Sequence, residues 1–239
     1  NGQSFVVQCD ATDAEIEAAC RELEIEIMGG HTEISNVVNQ PVVTVTGVGK
    51  VKKEKLVSTG GLQVGDDLVL TKWAGLEGTA IIAAQKREKL LETLPEELVD
   101  TAADFYQYLS VVPEAKIAVE TGVSAMHDVT EGGIFGALWE IGAAADLGIS
   151  ADLTKIPIRQ ETIEVCEVFG INPYQMMSSG SMLIGCAKGN LLVDRLKEAG
   201  IPAAVIGRAT DSNDRVITNG EEIRFLEPAG SDELYKIYE

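Results

Sequence analysis

No run of apolar residues in this chain approaches the roughly 18 that a membrane span needs, and no basic stretch followed by an apolar one opens it. The expectation is a protein that neither crosses a membrane nor is marked for export. Paired cysteines are also missing. Cys9, Cys20, Cys166 and Cys186 form no C-x-x-C pair and have no histidine cluster beside them, which argues against a zinc site or a disulfide framework and makes reduced, cytoplasmic thiols the expectation. Positive charge is scarce: 19 Lys and Arg face 38 Asp and Glu, a formal net charge of −19. Such a field repels nucleic acid and anionic membrane, so neither is expected as a partner. A phosphate compound would need a divalent cation or helix N-termini to offset the same field. There is no tandem repeat and no low-complexity segment.

What is present is an ordinary globular composition. The 239 residues, 45% of them hydrophobic, suffice for a real core in one large or two smaller domains. Ser4 to Cys9 reads as a strand delivering Asp10, Thr12 to Glu24 as a helix, and Ile25 to Met28 and Pro41 to Lys50 as strands. A basic, polar run from Lys50 to Gly61 reads as a connection, and the domain boundary is placed there, giving 1–57 and 58–239. Beyond it come a strand at Leu68 to Thr71, a helix carrying Ile81 and Ile82, and helices from Pro95 to Leu109 and from Pro113 to Glu120. Next follow a strand at Ile149 to Leu153, a helix from Pro157 to Phe169, and a strand at Met182 to Cys186. The last are a helix from Leu191 to Ala199, a strand from Ala203 to Ile206 and a hairpin across Asn219-Gly220. This mixed order predicts α/β or α+β layers and not a regular doubly wound parallel sheet.

One stretch organises the chain. Met126-His127-Asp128-Val129-Thr130-Glu131-Gly132-Gly133 runs straight into a helical apolar period of Ile134, Leu138, Ile141 and Ala145. With Thr130 as N-cap, Gly132 and Gly133 would fall in the first turn, where free N–H groups unscreened by side chains suit an anion. The alternative is that the two glycines only let this helix pack closely on a neighbour. Lys72, before Gly75 and Gly78 in a strand-to-helix turn, could meet a phosphate or be an ordinary surface lysine. Ser179 and Gly180 could contact a ligand or form a plain turn. Cys166, Cys186, Phe135 and Trp139 read as packing residues.

The order of this motif, then Ile156-Pro157-Ile158-Arg159, Phe169-Gly170-Ile171-Asn172-Pro173, and Ser179-Gly180 before an apolar strand resembles the aminoimidazole ribonucleotide (AIR) synthase superfamily, most closely its HypE hydrogenase-maturation branch. The resemblance implies a PurM-like two-domain α/β (α+β) architecture: here a partial N-terminal domain, then a C-terminal sheet backed by helices. It also implies ATP with Mg2+ between the domains, a homodimer, and activation of an amide or carbamoyl-type oxygen as a phosphorylated leaving group. By the same resemblance Gly29, Gly30 and Thr32 match a nucleotide-binding segment, and Asp10 a metal-binding aspartate at a strand end. Asp128 with Thr130 would hold a phosphate and its metal at the helix start, and His127 would contact phosphate or substrate. No residue is singled out as catalytic.

The chain departs from the HypE pattern in places. Its last residues hold no cysteine to accept a carbamoyl group, Ser178-Ser179-Gly180-Ser181 stands where an Asn-Glu-Gly-Lys turn is common, and little separates Asp10 from Thr12. Two other readings therefore stand beside the enzyme: a non-catalytic nucleotide-sensing or partner-binding module, and a small-molecule kinase of the thiamine-monophosphate kinase type. Selenophosphate synthetase is a further option within the enzyme class.

Overall fold

A computed structural model describes residues 12–39 and 42–238. The chain divides into two compact units, Asn1–Lys52 and Lys53–Glu239. The expected strand at Ser4 to Cys9, with Asp10, lies outside the described residues.

In the first unit, helix α1 spans Thr12–Glu22. The strands expected at Ile25 to Met28 and over the described part of Pro41 to Lys50 do not form: residues 25–39 and 42–52 contain no strand. A β-branched run supplies propensity, yet a strand exists only when its backbone is paired and one face covered. Here Val45 and Val48 are 78% and 94% exposed, and no paired strand lies beside them among the described residues.

The second unit is built on one seven-stranded sheet. Its strands are β1 (Asp67–Thr71), β2 (Ala125–Asp128), β3 (Gly148–Asp152), β4 (Met182–Cys186), β5 (Ala203–Thr210), β6 (Arg215–Asn219) and β7 (Glu222–Phe225), in the order β2-β4-β1-β5-β3-β6-β7. Only the β3–β6 pair is parallel. Among the described residues the α-helices are α1 with α2 (Leu76–Gln85), α3 (Arg87–Leu91), α4 (Glu96–Ala103), α5 (Val112–Thr121), α6 (Gly133–Ala145), α7 (Gln160–Phe169) and α8 (Gly189–Glu198).

Alternation along the strands sorts the core into layers. Leu68 and Leu70 of β1, Leu183 of β4 and Ile149 of β3 pack with Ile134, Leu138 and Ile141 of α6. The intervening Val69, Met182, Ile184 and Cys186 face the opposite way, onto Ala118 of α5 and Leu192 and Leu196 of α8. With helices on both faces, β1 is apolar through its centre, Leu68 to Leu70, and β4 carries no polar side chain from Met182 to Ile184. Beside this sandwich, α2, α3, α4 and α7 enclose Ile82, Leu90, Val99 and Val165, closed off by Leu234 and Ile237 of the terminal 3-10 turn Glu233–Tyr238.

Two local expectations need correcting. Helix α6 begins at Gly133 with Gly132, at φ 79, as its N-cap, and not with Thr130 as cap. The Thr130 carbonyl instead accepts the Gly133 N–H at 3.1 Å, so residues 130–133 form a turn ahead of the helix. In the terminal hairpin the register Asn219↔Glu222 makes Gly220-Glu221 the two-residue loop, one position later than expected, with Gly220 at φ 61 supplying the conformation such a loop demands.

Candidate functional site

Antiparallel pairing brings most of the expected site residues of the second unit to one edge of the sheet. Leu70 pairs with Leu183 and Asp128 with Met182, so β1 and β2 end where β4 begins. Lys72 follows β1, Asp128 to Gly133 follow β2, and Ser179 and Gly180 precede β4. The Val129 N–H donates to the Ser181 carbonyl at 3.1 Å, tying the last two segments together. Asp128 and Thr130 are exposed there, and the Asp128 carboxylate has no hydrogen-bond or ion-pair partner among the described residues. These two side chains are free to meet a ligand.

The glycines are not. The Gly132 N–H donates to Asp232 Oδ2 at 2.8 Å in a buried contact, and the Gly133 N–H is taken by Thr130. The Asp232 carboxylate, 3% exposed, also accepts the N–H groups of Met177 at 3.2 Å and Leu234 at 2.8 Å. The start of α6 does draw a negative charge, and the chain supplies that charge itself. A Cβ on Gly133 would lie 2.6 Å from the Tyr174 carbonyl oxygen and 2.7 Å from that of Met176, so close packing accounts for this glycine. Both amides of the expected phosphate cradle are thus bonded within the protein.

Lys72, the other expected phosphate contact, is likewise bonded within the protein. Its ammonium donates to the carbonyls of Tyr108, Ser110 and Gly180 and pairs with Glu114, leaving no donor for a phosphate. In the turn before β4, the Ser178 hydroxyl accepts the Gly75 N–H and donates to Met176, and the Ser181 hydroxyl donates to Trp73. Ser179, half-buried, is the one serine of that turn whose hydroxyl forms no bond among the described residues. Gly180 is buried at φ 99, its carbonyl held by Lys72.

His127 is pinned: one ring nitrogen lies 2.8 Å from Glu140 of α6 and the other 3.2 Å from the Thr59 hydroxyl. Both ring nitrogens are thus engaged with protein. Gly29, Gly30 and Thr32 are exposed in the first unit, outside any regular element, and a Cβ on either glycine would meet nothing. Asp10 lies outside the described residues. Among the described residues no group of three His, Cys, Asp or Glu could hold a metal by itself, and no helix is long and apolar enough to cross a membrane.

Sequence reasoning missed Asp232 and Glu114, whose roles arise from contacts across 100 and 42 positions respectively, which no local pattern signals. It also missed a cleft of about 490 Å³ bounded by Gly132, Phe135, Gln175, Ile217, Arg224 and Ala229, between the start of α6 and the terminal hairpin.

Comparison with known proteins bears on what this edge serves. Residues 63–219 match the family described as AIR synthase related protein, C-terminal domain. The carbamoyl dehydratase HypE of Rhodobacter capsulatus is 28% identical over 203 residues, covering 81% of this chain and 57% of that protein. The solved structure of Escherichia coli HypE aligns with a TM-score of 0.63 at 23% identity, over 76% of this chain and 55% of its own. A HypE structure in complex with ATP aligns with a TM-score of 0.59 at 16% identity, over 77% and 57%. At these identities the structures establish a shared fold, and the chain spans little more than half the length of these relatives. The sheet with helices on both faces, the ordered motifs and the match over residues 63–219 have one consequence: the chain belongs to the AIR synthase related family, as a bearer of its C-terminal domain.

Proposed function

We propose that this chain takes part in ATP-dependent, HypE-type chemistry, in which the oxygen of an amide or carbamoyl-type substrate is activated as a phosphorylated leaving group, in the maturation of a hydrogenase or another metalloenzyme. The observation that carries the reading is the family match over residues 63–219, whose exposed sheet edge bears Asp128 and Thr130 side by side without protein partners. Magnesium is a hard ion that commonly takes one or two carboxylates and completes its shell with water and substrate phosphates. A single free carboxylate with a hydroxyl two residues on fits that demand, so Asp128 and Thr130 are the residues that would hold magnesium-bound phosphate, with Ser179 on the turn that the Val129–Ser181 bond ties to them. Lys72 and the amides of Gly132 and Gly133 do not fit, because protein groups already occupy them. ATP, when bound, supplies the phosphoryl group. This chain's own groups bind and orient it, countering the repulsion of a −19 surface by recruiting the cation.

A homodimer belongs to the same reading. The exposed apolar side chains of the first unit, Val42, Val43, Val45 and Val48 among them, are the surface that a second copy would cover. Gly29, Gly30 and Thr32 on that unit would then be contributed to the nucleotide, and the chain would act in the cytoplasm, with 1–57 and 58–239 as its functional halves.

Calorimetric titration of the whole chain with Mg-ATP, followed by a phosphate-release assay with carbamoyl donors, tests the proposal. Binding with turnover supports it, and absence of binding removes the nucleotide altogether. Binding without turnover favours a second reading, a nucleotide-sensing or partner-binding module. That reading is favoured by the internal consumption of Lys72, Gly132 and Gly133, polar groups an active phosphoryl-transfer site would be expected to keep available.

A further inference from the structure

The end of β1 holds an arrangement that nucleotide chemistry leaves unused. Three main-chain carbonyls from two separate segments, those of Tyr108, Ser110 and Gly180, converge on one point, and the Lys72 ammonium fills it at 2.8, 2.7 and 2.9 Å. Glu114 Oε1 supplies a fourth oxygen at 2.5 Å, with the lysine and glutamate side chains only 8% and 1% exposed. The other oxygen, Glu114 Oε2, is buried and has no hydrogen-bond partner among the described residues.

Carbonyl dipoles and a carboxylate aimed at one dry point repel each other unless a cation sits between them. Four protein oxygens at these distances suit ammonium or potassium. They do not suit magnesium, which demands a near-octahedral shell at about 2.0–2.1 Å. The chain meets the demand with its own side chain, although Lys72 must then adopt φ 53, a left-handed backbone that residues with a Cβ seldom take.

We propose that this cage is a monovalent-cation site in which Lys72 is the tethered occupant, and that removing the lysine side chain converts it into a site for free ammonium or potassium. The carbonyls do not depend on Lys72 for their placement alone. Gly180 is held between Ser178 and Ser181, where the Ser181 N–H donates to the Ser178 carbonyl, and Tyr108 packs on Trp73 with ring centroids 5.0 Å apart. The cage therefore outlasts its occupant. The bolt joins the end of β1, the approach to α5 and the turn before β4, the last of which adjoins the edge bearing Asp128. Its proof requires no nucleotide, so it stands or falls separately from the ATP reading.

The test uses the whole chain and two variants. Lys72→Gly removes the stem, opens a path for an ion and suits the positive φ, whereas Lys72→Met fills the same path without a charge. Thermal unfolding of each is followed in potassium, ammonium, sodium and tetramethylammonium chloride at matched ionic strength. The expected result is that Lys72→Gly unfolds well below the wild type in sodium or tetramethylammonium. In potassium or ammonium it recovers roughly 3–5 °C for each tenfold rise above the dissociation constant. Lys72→Met and the wild type should respond alike to all four salts. Recovery of folded Lys72→Gly only when potassium or ammonium is present during refolding supports the proposal equally. Equal response of Lys72→Gly to every salt, equal rescue of Lys72→Met, or failure of Lys72→Gly to fold in any of them overturns it.

Discussion

Asp232 caps Gly132: a carboxylate 100 residues downstream in sequence lies 2.8 Å from the amide that opens α6, inside the protein and away from solvent. That carboxylate bonds two further main-chain N–H groups, Met177 and Leu234, so three separate segments meet on one side chain. Asp232→Ala strands three donors at once, two of them buried and the third, the Met177 N–H, part-buried. It is expected to cost about 2–4 kcal/mol, since each unsatisfied group alone costs about 1–3 kcal/mol and neighbouring backbone relaxes. Urea unfolding monitored by circular dichroism reads the loss. A change under 0.5 kcal/mol would mean that water replaces the carboxylate freely.

Gly133→Ala separates packing from ligand binding at the same helix. A methyl there would sit under 3 Å from main-chain atoms of Tyr174 and Met176 on a backbone at φ 59. Backbone cannot swing aside as a side chain can, so a loss of roughly 2 kcal/mol or more is expected in the absence of any nucleotide. If the variant were as stable as the wild type but failed to bind Mg-ATP, the glycine would be a binding residue after all.

These two positions show what was legible in the sequence. The unbroken apolar runs Leu68-Val69-Leu70 and Met182 to Cys186 announce strands buried on both faces, and both form where expected. Gly122 and Gly170 end α5 and α7 with positive φ, as their places after helical periods suggest. The pair Gly132-Gly133 is ambiguous by nature, because a sequence that bares amides for a ligand looks the same as one that lets a backbone approach. Lys72 illustrates the same limit: charge is visible in sequence, but whether Glu114 and three carbonyls meet it depends on the fold. Val42 to Val48 show the converse, propensity without a paired neighbour.

The Lys72–Glu114 pair should respond asymmetrically to mutation. Lys72 keeps three carbonyl acceptors if the glutamate is neutralised, whereas Glu114 has no other partner among the described residues. Lys72→Met leaves a buried charge uncompensated and is expected to cost about 3–5 kcal/mol. Glu114→Gln should cost less, about 1–2 kcal/mol. Chemical denaturation of both variants gives the order, and a larger loss for Glu114→Gln would contradict the contact pattern.

Burial pushes the Cys166 thiol from 9.0 up to about 12 and raises that of Cys186, so both stay neutral in the folded chain. A raised folded value means that the native state holds its proton while the unfolded chain releases it. The contribution of Cys166 to stability is therefore complete below about pH 9 and falls as pH climbs toward 12. Alkylation by iodoacetamide at pH 8 should proceed at Cys166 only through unfolding, its rate rising with urea. Labelling that is rapid in native buffer would show the thiol to be accessible.

Asp128 carries the functional claim most directly, and its exposure makes the test clean. The side chain touches no described protein group, so Asp128→Asn should leave the unfolding midpoint within about 1 °C of the wild type, as surface substitutions usually do. If the carboxylate is a magnesium ligand, the amide that replaces it offers a weaker, neutral oxygen. Mg-ATP affinity should then fall about tenfold or more, equivalent to at least about 1.4 kcal/mol. Binding of ATP without magnesium should respond in the opposite direction, because the substitution also removes a negative charge that repels the phosphates. Opposite signs with and without the cation distinguish a metal ligand from a merely nearby charge, which would improve binding in both conditions.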